Sequence, residues 1–219
     1  MIHLKRLGFF GFIMVLTISS CSMLTDTSPS TEALTQDGWE FFANGYYRSA
    51  LQSFEDALSQ DADYPPAILG KGWTHFMRNE NSQAFIEFNT LEDQIDTIPA
   101  VYVGRGALHL LDFTSYQLAI QDFNTALALD STFQFEYKTD IDYRDVRCMK
   151  AMAYYRLGNL ENAQAEVTTL FRGTGNPTTL NPENPDTWVV DGVEYDSYPE
   201  ALLRAIQVLV EIFGTDYFI

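Results

Sequence analysis

Basic side chains are scarce in this sequence. Its 219 residues hold 13 Lys and Arg against 30 Asp and Glu, a formal net charge of −17. Such a surface repels phosphate backbones and anionic headgroups, so nucleic acid is excluded as a partner class. The acids are spread along the chain, which reads as a solvated surface and not as a cation-binding face. Cysteine is scarcer still, with Cys21 and Cys148 only. If Cys21 is modified, Cys148 has no disulfide partner within the chain, and its place on an apolar helical stripe makes it a small buried hydrophobe. Catalytic signatures are missing as well. There is no HExxH and no GxSxG, and Gly104-Arg105-Gly106 lacks the third glycine of a phosphate loop and lies inside a helical pattern. The expectation is therefore no enzyme, no cofactor and no metal. His75 and His109 lack recurring carboxylates or thiols at ligand spacing and read as packing residues. Asp140, Asp142 and Asp145 lack the glycine and final glutamate of a calcium loop and read as acids at a helix start.

Long apolar runs are also absent. The run Leu7–Ile18 falls short of the roughly 20 residues needed to span a bilayer as a helix. Preceded by Lys5 and Arg6, it has the form of a signal-peptide core. Ile18-Ser19-Ser20-Cys21 follows and resembles the bacterial lipobox, an aliphatic residue and two small ones before cysteine. The resemblance implies that residues 1–20 are removed and that Cys21 becomes a lipidated N-terminus, anchoring the protein to the membrane. Ser22, where aspartate would retain the protein at the inner membrane, points by resemblance to the outer membrane, facing the periplasm. Residues 21–30 are polar and read as a tether.

What the sequence does contain is a unit that recurs. A shift of 34 residues carries Gly38 onto Gly72 and Gly72 onto Gly106, and Trp39 onto Trp73. Ala50, Phe54 and Ala57 land on Ala84, Phe88 and Leu91. After one extra residue in the third turn they return as Ala119, Phe123 and Ala126. A fourth copy carries Ala151, Tyr154, Gly158, Ala163, Val167 and Leu170. Positions i, i+4 and i+7 share one helix face, so each unit is a helical hairpin whose small residues let two helices approach and whose rings fill the gaps beside them. Asn44-Gly45, Asn79-Glu80-Asn81 and Leu157-Gly158-Asn159 supply turns, and Pro65-Pro66 and Pro99 open first helices. No hairpin buries its apolar face alone, so the units must stack.

A 34-residue helix–turn–helix unit of this kind resembles the tetratricopeptide repeat. The family's small residue is Gly38, Gly72, Gly106 and Ala151. Its second-helix alanine is Ala50, Ala84, Ala119 and Ala163, with a bulky residue four later at Phe54, Phe88, Phe123 and Val167. The aromatic expected three after the small residue is present as Phe41 and Tyr154 but replaced by His75 and His109. The leucine expected before it is replaced by Asp37, Lys71, Arg105 and Lys150. The expected fold is an all-α solenoid of about four repeats over 31–171, divided as 31–64, 65–98, 99–131 and 143–171. An insertion over 132–142 carries Phe133, Phe135 and Tyr137 in strand-like alternation. A loop and small β-hairpin around Asp191-Gly192 occupy 172–197, and a C-terminal capping helix and tail occupy 198–219.

The resemblance also implies function, namely a scaffold that binds a protein or peptide on its concave face. In such folds the first helices line that face. Here they would present Trp39, Phe42, Leu69, Trp73, Phe76, Val103, Leu110, Met152 and Tyr155, an apolar and aromatic groove. Either a partner docks there, or the protein fills the groove with its own 131–143 or 172–197 segment. An alternative function is a binding protein for an apolar small molecule or an acyl or glycan chain.

Overall fold

The computed structural model describes residues 28–112, 114–172, 174 and 179–213. The signal segment, the lipobox and Cys21 lie outside the described residues, and so does the tail after Phe213. Four helical hairpins follow one another: α1 (Thr31–Ala43) with α2 (Tyr47–Gln60), α3 (Pro65–Met77) with α4 (Asn81–Gln94), α5 (Pro99–Leu111) with α6 (Tyr116–Leu129), and α7 (Tyr143–Arg156) with α8 (Leu160–Phe171). A short 3₁₀ turn (Pro185–Thr187) and a two-stranded hairpin, β1 (Val189–Val190) and β2 (Val193–Glu194), lead to α9 (Tyr198–Phe213). The fold is an α-solenoid of stacked hairpins.

Local chemistry sets the helix ends. The Ser30 hydroxyl accepts from the Ala33 N–H at the start of α1. Prolines open α3 and α5, where the missing N–H has no helical partner to lose. At α7 the Asp142 carboxylate accepts from the Arg144 N–H, and the Asp145 carboxylate accepts from the Asp142 N–H, a reciprocal cap. Gly45 (φ +78°) and Gly158 (φ +74°) turn the first and fourth hairpins, and Asn79 (φ +60°) turns the second. Asp191 and Gly192, both at positive φ, make the two-residue turn between β1 and β2.

Phenylalanine locks the stack. Phe54, Phe88 and Phe123 are fully buried at the second-helix contact position. Each ring fills a space that a neighbouring glycine leaves open. A Cβ on Gly38 would meet the Phe54 ring at 2.6 Å, and one on Gly70, in the next hairpin, would come closer still. Phe88 lies in the same way between Gly72 (2.9 Å) and Gly104 (2.5 Å), and Phe123 abuts Gly106 (2.6 Å). The Gly-x-Gly pairs at 70–72 and 104–106 are thus packing devices, with one glycine serving its own hairpin and the other the hairpin before. In the fourth repeat Met149, buried, stands in the register of Gly70 and Gly104.

The residue between those glycines explains the departure from the family pattern. Lys71 pairs with Glu87 of its own hairpin at 2.8 Å. Arg105 forks onto Asp122 (2.6 and 3.0 Å) and reaches back to Glu92 of the preceding hairpin. Lys150 joins Glu166 (2.6 Å) to Asn124 of the preceding hairpin (3.0 Å). The position where the tetratricopeptide pattern has leucine is, in the second to fourth hairpins, a cation that ties helices together through paired charge. Asp37, at the same position in the first hairpin, is exposed.

First helices touch the next first helices in turn, α1 on α3, α3 on α5 and α5 on α7, so they line the inner side of the curve. Beyond α8, helix α9 packs on both α7 and α8 and buries Leu202, Ala205, Ile206 and Leu209. It covers the apolar face that the last hairpin would otherwise leave open.

Candidate partner-binding face

The nine residues expected to line an open groove do lie on first helices, but they are not offered to solvent. Trp39, Phe42, Trp73, Phe76, Val103, Leu110 and Met152 are buried, and Leu69 and Tyr155 are half-buried. Over the first two hairpins the cover is the chain's own insertion. The Phe135 ring lies 4.6 Å from Trp73, 5.9 Å from Trp39 and 6.2 Å from Phe42, centroid to centroid. Tyr137 stacks flat on Trp39 at 3.7 Å with an interplanar angle of 7°. Of the two occupancies left open by the sequence, the structure has the self-filled one, through the insertion. The physical reason is the size of the apolar surface. Two Trp and two Phe rings on adjoining helices leave more bare hydrocarbon than a small acidic array holds in water.

The insertion is not a strand. Its pairing is a single bridge, Gln134 with Asp142, closed by the Phe135 N–H donating to Ile141 O (2.8 Å) and the Tyr143 N–H donating to Phe133 O (2.7 Å). Two successive turns make its tip, with Lys138 donating to Phe135 O and Ile141 to Lys138 O. Phe133 and Ile141 are buried at its base.

Polarity beneath this cover is incomplete. The indole N–H groups of Trp39 and Trp73 are buried and have no acceptor. Sequence reasoning named both residues but had no means of seeing that their donors go unpaired.

The ionisable residues singled out in the sequence are engaged in pairing and packing. The His75 Nδ1 lies 2.6 Å from Glu80 Oε2, and this contact, with Arg78 beside it, holds the Glu80 carboxyl below its ordinary range. His109 meets the Phe85 ring edge-on at 5.2 Å; burial lowers its pKa, against the pull of Asp122 at 3.7 Å. Asp142 is paired with Arg144, and Asp140 lies 3.4 Å from Lys138. Burial pushes Asp145 up to about 7. Burial also raises the Cys148 thiol, which removes its nucleophilic form near neutral pH. Among the described residues no group of three or more His, Cys, Asp or Glu is placed to hold a metal ion, and no helix is long and apolar enough to cross a membrane.

One further concavity, of about 500 Å³, opens where α4 meets the end of α5. Phe85, Ile86, Leu108 and Leu111 give it apolar walls, and His109 and Asp112 stand at its polar side. It lies beside His109, where the repeat pattern expects a larger aromatic ring.

Comparison with known proteins agrees with this geometry. The tetratricopeptide repeat family matches residues 145–169, within α7 and α8. No curated protein matches the chain by sequence. Among solved structures, it is similar to a tetratricopeptide repeat protein from Parabacteroides merdae, with a TM-score of 0.55 at 17% identity over 87% of this chain. The chain spans only 61% of that protein's length. A thermophilic TPR protein of Thermus thermophilus gives 0.55 at 15% identity, covering 85% of this chain and 84% of its own. A MamA protein gives 0.57 at 15% identity, covering 83% and 90%. The array thus has the fold of tetratricopeptide-repeat proteins, and its fourth hairpin matches that family's repeat.

Proposed function

We propose that this protein is a lipid-anchored scaffold of the bacterial envelope, without enzymatic activity, that holds a protein or peptide partner against its inner face. The observation that carries the reading is the aromatic inner side of a stacked array, with Trp39 and Trp73 one repeat apart on adjoining first helices and covered by a loop that is not part of the stack. Repeats of this family present that face to partners, and Trp-centred apolar surfaces make strong anchors. The anchoring half of the proposal is supported by the basic start, the short apolar core and the lipobox-like Ile18-Ser19-Ser20-Cys21. Two or three acyl chains on Cys21 would hold the protein firmly, at about 0.8 kcal/mol per buried CH₂. By resemblance the site is the outer membrane, facing the periplasm.

Two experiments test it. Cys21→Ala should abolish metabolic palmitate labelling and release the protein from the membrane fraction; equal labelling of mutant and wild type would overturn the anchor. Cross-linking of the lipidated protein in its own membranes, followed by mass spectrometry, should recover a protein partner. A tightly co-purifying small molecule in its place would favour the second reading, a binding protein for an apolar small molecule or an acyl or glycan chain. The apolar-walled concavity between α4 and α5, of a size that suits such ligands, is what speaks for that reading.

A further inference from the structure

We infer that the loop 133–142 is an internal stand-in for the partner, and that the inner face takes a looped peptide segment bearing two aromatic side chains separated by one residue. The inference rests on the scaffold reading above and adds the chemistry of the ligand.

Three observations carry it. First, the loop is a closed unit. Its backbone-to-backbone hydrogen bonds run among residues 130–143, apart from the first α7 bond, which the Val146 N–H donates to Asp142 O, and the bond from Tyr143 to Phe133 shuts the ring at its base. Second, ring packing joins it to the first two hairpins, with Phe135 lodged against Trp39, Phe42 and Trp73 and Tyr137 laid on Trp39. The loop enters from the α6–α7 connection, so α1 to α4 need not separate for it to leave. Third, the fit is complete in shape and incomplete in polarity. Trp39 and Trp73 are 4% and 0% exposed, and neither indole N–H has an acceptor. Buried donors are nearly always paired, so two unpaired ones in adjacent repeats of one surface mark where a better ligand places its acceptors. A partner loop with the same Phe-x-Tyr spacing, and a carbonyl or carboxamide oxygen toward each indole, matches the internal loop in packing and exceeds it in hydrogen bonding.

The test uses the full mature chain carrying Phe135→Ala and Tyr137→Ala, which strips the loop of both rings. The probe is a synthetic peptide of residues 133–143, cyclised through its ends, titrated by calorimetry. It should bind the double variant and bind the wild type at least tenfold more weakly, because the attached loop competes at high effective concentration. A cyclic peptide with alanine at both ring positions should not bind. Failure to bind a cooperatively melting double variant, or equal affinity for both proteins, overturns the inference. So does an apolar dye that binds the variant where the peptide does not, which would assign the face to small molecules. If the double variant does not fold, proton exchange at the wild-type indoles decides. The Trp39 and Trp73 indole N–H groups should show protection at least tenfold below the slowest α3 amides; exchange only through global unfolding overturns it. Neither readout depends on the lipid anchor or on a captured protein, so the inference and the scaffold reading fall separately.

Discussion

The first two hairpins and the last one solve the same problem in different ways. The last exposes the apolar side of α7 and α8, and the next helix in the chain, α9, lies on it. The first two expose Trp39, Phe42 and Trp73, and the cover comes from Tyr137 and Phe135, close to a hundred residues beyond Trp39 in the sequence. Cover by the next helix in the chain spans only the connection 172–197, far less sequence than separates Trp39 from Tyr137, and forms a continuous helix face. Distant cover arrives as a small closed loop held by rings. The lesson is that capping and covering are separable. α9 belongs to the stack, whereas the insertion occupies a surface that the stack already presents.

The sharpest way to break this comparison is Trp73→Ala. The side chain is fully buried and meets Phe76, Phe88 and Phe135. Its removal should cost about 3–5 kcal/mol in chemical denaturation, through the cavity left at the junction of hairpin and loop. A wild-type midpoint would mean that the ring bears on neither. Leu209→Ala should come next, at about 2–4 kcal/mol, because Leu209 is fully buried on the face that α9 turns toward the last hairpin. The comparison is sharpened by the pattern of hydrogen exchange. Leu209→Ala should loosen α7 and α8 first and spare α1 to α3; loosening of the Trp39–Tyr137 region instead would show that the two covers act as one.

The smallest effect belongs to Asp145, where the insertion ends and α7 begins. Burial raises its carboxyl from 3.8 to about 7, with the Asp142 charge adding and the Asp142 N–H and Arg144 opposing. Between about pH 4 and pH 7 the folded chain therefore keeps a proton that the unfolded chain has released, and stability falls as pH rises through that window. Asp145→Asn keeps an oxygen for the Asp142 N–H and cannot ionise. It should flatten this slope, by up to about 1.4 kcal/mol per pH unit inside the window, in urea titrations at stepped pH. An unaltered slope would place the titration elsewhere.

Much of the array was legible in the sequence because its information is local and repeated. Gly38, Gly72 and Gly106 recur with Phe54, Phe88 and Phe123, and that recurrence alone implies a small residue facing a ring in each of the first three hairpins. The aromatic identity of the inner face was legible for the same reason. Its occupancy was not. The insertion occurs once, so it has no register to compare, and alternation of Phe133, Phe135 and Tyr137 suggested a strand where the chain makes two turns. Nor was the use of Lys71, Arg105 and Lys150. Each looked like a departure from an apolar position until its carboxylate partner, 16 or 17 residues on, appeared on the adjacent helix.

The sequence by itself determined the repeating unit, its turns and the need to stack, because helical periodicity and glycine–phenylalanine complementarity act over a few turns of chain. Only the tertiary structure decided what lies on the inner face. Whether Phe135 reaches Trp73 depends on how the hairpins curve and on where a ten-residue loop from the α6–α7 connection can go. That is a property of the assembled solenoid, and no single repeat encodes it.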